Sequence, residues 1–127
     1  MNNCNKITVS SLNKTWLLDL DGTVFFHNSY IEGEDKLIDG VKEFFEKNIR
    51  EEDYVIGLTS RRSIFKEITM KSIKKHSLKI DQVIFNLPYG ERIIINDKKP
   101  SGLITAVSLN ITRDKAIDTE FIIDENL

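Results

Sequence analysis

The sequence predicts an α/β fold: a mainly parallel central sheet covered by helices on both faces, a three-layer sandwich. Three observations lead there. Short apolar runs that read as buried strands alternate with amphipathic segments at helical spacing, which is the order of a parallel sheet with helical crossovers. The chain of 127 residues, 40% hydrophobic and 30% charged, has room for one domain, taken as 1–127. Only two Pro and six Gly, with no low-complexity stretch and no internal repeat, exclude disorder, collagen and coiled coil.

The elements follow in order. Residues 1–14 form a polar extension bearing Asn2, Asn3, Asn5 and Lys6. Thr15-Trp16-Leu17-Leu18-Asp19-Leu20 reads as a buried strand that ends at Asp21-Gly22. Residues 23–35 mix Phe25, Phe26, Tyr30 and Ile31 with polar residues and are read as a small hairpin or a flap. Asp39 or Gly40 caps a helix through Asn48, with Val41, Phe44, Phe45 and Ile49 on its apolar face. Tyr54 to Thr59 is a second buried strand. Ser63 to His76 is an amphipathic helix, with Ile64, Phe65, Ile68 and Ile73 inward and Lys66, Lys71, Lys74 and Lys75 outward. Gln82 to Asn86 and Arg92 to Asn96 are further strands. Their connection at 87–91 is too short for a helical crossover, so it is a hairpin or a bare loop. Leu103 to Ile111 and Phe121 to Ile123 are weaker strand expectations. Trp16, Phe44, Phe45 and Phe65 are assigned to the core, and His27 and His76 to the surface.

Charge excludes some functions. Lys and Arg number 18 against 20 Asp and Glu, a net charge of -2, so no global basic field collects nucleic acid or anionic lipid. No apolar run approaches a membrane span, and the N-terminal residues lack the apolar core of a secretory signal. A single cysteine, Cys4, forms no internal disulfide. The expected location is cytoplasmic, without nucleic acid or membrane as partner.

The chemistry concentrates in Asp19-Leu20-Asp21-Gly22-Thr23, where the first buried strand runs out. In an open parallel sheet, ligands bind beyond the carboxyl ends of the strands. Alternation along a strand points Asp19 and Asp21 the same way. Two adjacent carboxylates are costly to leave unpaired, and a divalent cation is the usual remedy. A surface turn accounts for Asp21-Gly22. It does not account for Asp19, which interrupts an apolar run. An EF-hand loop fails, because Val24 and Tyr30 stand where that loop needs Gly and Glu.

Asp19-Leu20-Asp21-Gly22-Thr23 after an apolar strand resembles the first motif of the haloacid dehalogenase-like superfamily, most of whose members are magnesium-dependent phosphohydrolases. Ile56-Gly57-Leu58-Thr59 resembles its second motif, and Ile93-Ile94-Ile95-Asn96-Asp97 its fourth. The resemblance spans residues 15–110 and implies a Rossmann-like fold. The intervals from Thr23 to Tyr54 and from Thr59 to Gln82 leave no room for a cap domain.

The resemblance implies these roles. Asp19 attacks phosphorus and forms an aspartyl-phosphate; Asp21 protonates the leaving oxygen and then deprotonates water. Mg²⁺ is held by Asp19, the Asp21 carbonyl and Asp97. The Thr59 hydroxyl and nearby backbone amides hold the phosphoryl oxygens, with Leu20, Gly22, Thr23 and Ser60 around the substrate. The family's third-motif Lys has no counterpart at Leu87-Pro88, so Lys99 is favoured, with Lys98 and Arg92 as alternatives. Arg61 and Arg62 are candidate substrate contacts, since Arg offers bidentate bonds to phosphate.

The implied activity is a Mg²⁺-dependent phosphomonoester hydrolase, with a sugar phosphate as the expected substrate and a homo-oligomer as one way to close a capless site. Two other readings stand beside it. One is a phosphate-binding or regulatory module of the same fold with little or no turnover. The other, a signalling receiver domain, is disfavoured: its phosphoacceptor Asp should end the third strand, and the later strands here end in Thr59 and Asn86.

Overall fold

A computed structural model describes residues 5–127. Cys4 lies outside the described residues. The secondary structure comprises β1 (Asn5–Val9), β2 (Thr15–Asp19), α1 (Val41–Asn48), β3 (Tyr54–Leu58), α2 (Lys66–Lys75), β4 (Gln82–Ile84) and β5 (Thr119–Ile123). Short 3-10 turns occupy Ser29–Glu32 and Ser63–Phe65. The protein is a mixed α/β structure with two small parallel sheets, one ordered β2-β3-β4 and the other pairing β1 with β5.

The register of β2 on β3 sets Trp16 beside Val55 and Leu18 beside Gly57. These residues share one face, and that face is the buried one. The core joins Leu18, Leu20 and Val55 to Val24, Phe25 and Ile38 of the following loop, to Val41 and Phe45 of α1 and to Ile73 of α2. Gly57 lets the strands pack closely there: a Cβ on it would lie 3.1 Å from the Leu20 side chain, which would have to shift. On the opposite face Leu17 is 41% exposed and Ile84 37%. Both helices therefore contribute to the same cluster, and the expected helical cover on the second face is not formed by α1 or α2. Strands read as buried on both sides are half-buried.

Helix α1 starts at Gly40, which takes a left-handed φ of 84° and supplies the carbonyl that the Phe44 amide reaches at 3.0 Å. Glu43 in its first turn and Lys47 in its last suit the helix dipole. Where the periodicity from Ser63 predicts one continuous helix, the chain begins with a 3-10 turn and becomes α-helical at Lys66. Among the described residues no helix is long and apolar enough to cross a membrane.

Asp53, buried in the turn before β3, ties the strands together at their amino ends. Its carboxylate accepts from the amides of Lys14 (2.9 Å) and Arg50 (3.0 Å) and from the Trp16 indole (3.0 Å). Burial pushes this carboxyl up, and the bonds from Lys14, Trp16 and Arg50 outweigh that, so it titrates below the ordinary Asp range. Trp16 also meets Phe44 and Phe121 edge-on, with centroids 6.0 and 5.2 Å away, and this aromatic trio couples α1 and β5 to the main sheet.

Three expectations change. The polar extension 1–14 contains a strand, β1, whose partner is the C-terminal β5. Arg92 to Asn96 is not a strand, and Ile93 and Ile95 are 81% and 92% exposed. Strand geometry is held by a ladder. Here Asn96 Nδ2 bonds Thr105 Oγ1 at 2.7 Å, and the Thr105 hydroxyl donates to the Asp97 carbonyl, a local arrangement that competes with pairing. Leu103 to Ile111 likewise forms no strand. Residues 87–91 are a bare loop resting on the turn after β3, where the Leu87 amide reaches the Thr59 carbonyl at 3.2 Å.

Candidate active site

Parallel pairing ends β2 and β3 side by side, with Asp19 opposite Leu58, so Asp21 and Thr59 emerge together. Thr59 is fully buried and donates its hydroxyl to Asp21 Oδ2 at 2.9 Å. Asp19 is half-exposed; it accepts from the Thr23 hydroxyl at 3.1 Å and from Arg92 Nη1 at 2.6 Å. Asp19, Asp21, Thr23 and Thr59 are thus gathered at one strand end.

The turn Leu20–Phe25 is wound tightly. The Leu20 carbonyl accepts from the amides of Val24 (3.0 Å) and Phe25 (2.9 Å), and Gly22, with φ 91°, donates its amide to Phe25 at 2.7 Å. The Leu20 amide is spent on Leu58 and the Thr23 amide reaches back to the Leu20 carbonyl. Of the groups expected to hold phosphoryl oxygens, these three amides are already bonded. The Ser60 hydroxyl points to the Pro88 carbonyl at 3.4 Å.

Arg61 has a different environment from the one its sequence position implies. Its side chain is 1% exposed and bonds Asp21 through Nε and Nη2 at 3.1 and 2.9 Å. Nη1 and Nη2 bond Asp35 at 3.0 and 2.6 Å, and Nη1 also reaches Thr69 Oγ1 at 2.8 Å. Every N–H of the guanidinium is used. Its plane carbon lies 4.0 Å from the Tyr30 ring centroid. Burial pulls its pKa down, but the bonds to Asp35 and Asp21 overcome this and hold it charged, above the ordinary value. No donor is left for a substrate anion. Arg62 is exposed at the start of the 3-10 turn.

Asp35, Tyr30, Thr69 and Ser72 are partners that sequence reasoning missed. Asp35 is buried and also accepts from Ser72 at 2.8 Å and Ser29 at 3.4 Å. Its surroundings come from the loop 29–35 and α2 together, and no local pattern announces them.

Among the basic residues considered for Asp19, Arg92 makes the contact. Lys98 and Lys99 sit in an exposed turn closed by Gly102 donating to the Lys99 carbonyl at 2.7 Å, and neither pairs with Asp19. Asp97 is exposed on the same segment. Among the described residues no group of three or more His, Cys, Asp or Glu side chains could hold a metal ion, so Asp19, Asp21 and Asp97 are not assembled as a magnesium site. The cause is the missing strand at 92–96, which was to carry Asp97 to the sheet edge.

The site has one further wall. The Asp114 amide donates to the Gly22 carbonyl at 2.9 Å, and the Asp114 carboxylate accepts from the His27 amide at 2.8 Å. The stem of the preceding Arg113 lies over Gly22. No family model, curated protein or solved structure matches the chain.

Proposed function

We propose that this protein is a phosphomonoester hydrolase working through an aspartyl-phosphate on Asp19. The observation that carries the reading is the meeting of Asp19, Asp21 and the Thr59 hydroxyl at the carboxyl ends of two adjacent parallel strands, with Arg92 2.6 Å from Asp19. A Rossmann-like arrangement of the parallel strands belongs to this reading, as do a phosphorylated small molecule, such as a sugar phosphate, as substrate and a cytoplasmic location.

In the proposed reaction an Asp19 oxygen bonds to phosphorus as the ester oxygen leaves with a proton from Asp21. Water then attacks the aspartyl-phosphate, returns a proton to Asp21 and releases phosphate and free Asp19. Arg92 offsets charge on the transferring group, and the Thr59 hydroxyl, donating to Asp21, positions that carboxylate. Mg²⁺ dependence is what the resemblance implies; the carboxylates as arranged do not form its site.

The test is hydrolysis of an aryl phosphate by the full chain, with Mg²⁺ and with a chelator. The expected result is turnover that Asp19→Asn abolishes. A folded wild-type chain no faster than Asp19→Asn defeats the hydrolase reading. A second reading, a phosphate-binding or regulatory module of the same fold, is favoured by the separated Asp97 and by the amides of Leu20, Gly22 and Thr23 being spent on the turn.

A further inference from the structure

The charged groups around the turn after β2 are unequally satisfied. Asp19 already accepts from Arg92 and Thr23, and Asp21 from Arg61 and Thr59. Arg61 has no donor to spare. Arg113 is the exception: it is exposed and its guanidinium bonds to no other described residue.

Its backbone is nevertheless tethered through the next residue. Asp114 takes a left-handed φ of 62°, and its amide and carboxylate are bolted to Gly22 and His27, which sets where the preceding Arg113 starts. The Arg113 stem then lies in the space that a side chain at position 22 would fill. A Cβ on Gly22 would come within 3.1 Å of Arg113 Cγ and 3.8 Å of its Nε. Glycine at 22 therefore serves the turn and also admits an arginine across it, at the residue that follows Asp21.

An exposed cation whose stem crosses Gly22, and whose guanidinium has no partner among the described residues, is free to recognise an anion from solution. We propose that Arg113 binds a second oxyanion of the substrate, so that the substrate class is a phosphomonoester that also bears a carboxylate or equivalent acidic group. This rests on the phosphohydrolase reading for the placement of the phosphoryl group. The planar guanidinium matches a carboxylate with paired hydrogen bonds.

The test is calorimetric binding of phosphoglycolate and ethyl phosphate to the full chain carrying Asp19→Asn, which prevents turnover. Phosphoglycolate is expected to bind about tenfold tighter, the scale of one charge-assisted contact. Adding Arg113→Ala, an exposed change that leaves the fold intact, should remove that preference without weakening ethyl phosphate. Lys115→Ala, a neighbouring exposed cation, should change neither. Equal binding of the two ligands, no binding of either, or an equal loss for both on Arg113→Ala overturns the proposal. If the preference is seen but wild type hydrolyses no aryl phosphate, the hydrolase reading fails and the anion site stands.

Discussion

Arg61 and Arg92 both contact a carboxylate of the candidate site, yet their burial assigns them opposite consequences. Arg61→Ala leaves Asp35 buried without its cation, and breaking such a pair costs about 3–5 kcal/mol, readable as a fall in the urea unfolding free energy. Arg61→Lys should not restore it, because one ammonium cannot replace a fork that serves two carboxylates and Thr69. Arg92 pairs with Asp19 where both are about a third exposed, so Arg92→Ala should change stability by less than about 1 kcal/mol. On the hydrolase reading the same change should lower turnover of an aryl phosphate about a hundredfold. Lys99→Ala should stay near wild type in that assay; the reverse order would move the partner of Asp19 to Lys99. Asp19, Asp21 and Thr59 were legible as a group because they end consecutive predicted strands. Asp35 was not, since its partners Arg61 and Ser72 lie far along the chain and meet it only after folding.

At the level of elements, strands and helices whose apolar residues repeat locally were readable: β2, β3, β4, α1 and α2 all fall within the predicted segments. β1 was hidden because Ile7-Thr8-Val9 is a short β-branched run inside an otherwise polar segment, and its existence depends on β5. The Ile93-Ile94-Ile95 run misled for the converse reason. High strand propensity forms nothing without a partner edge. The turn before β3 depends on a single side chain, and Asp53→Ala removes the acceptor for Lys14, Arg50 and Trp16 together. Leaving such donors without a partner should cost about 1–3 kcal/mol, seen as a lower urea midpoint. Phe121→Ala should act more locally. By withdrawing the ring that meets Trp16 and Phe44, it should raise amide exchange in β1 and β5 while β2 and β3 remain protected.

For the whole molecule, stability should fall on the acid side. The carboxyl of Asp53 is held low as described, and that of Asp81 is held low by Lys79 and by the Val55 amide. Carboxylates depressed in the folded state stabilise it above their unfolded pKa of about 3.9, and this contribution disappears as pH falls through the lower folded values. Urea midpoints measured from neutral pH downward should therefore drop through that window. The Asp53→Asn, Asp81→Asn double variant should show a flatter acid limb. Arg61 adds nothing to this window: its pKa is raised, so its contribution is lost only at extreme alkaline pH.

The pairing of β1 with β5 also bears on the order of folding. Joining Asn5 to Thr119 closes nearly the whole chain into one loop, whereas β2–β3 and β3–β4 close much shorter ones. Closure entropy rises with the logarithm of loop length, and high contact order slows folding. The three-stranded sheet that carries Asp19, Asp21 and Thr59 should nucleate first. The terminal pair would then latch late and open early, and the two ends of the chain could separate while the carboxylate cluster stays assembled.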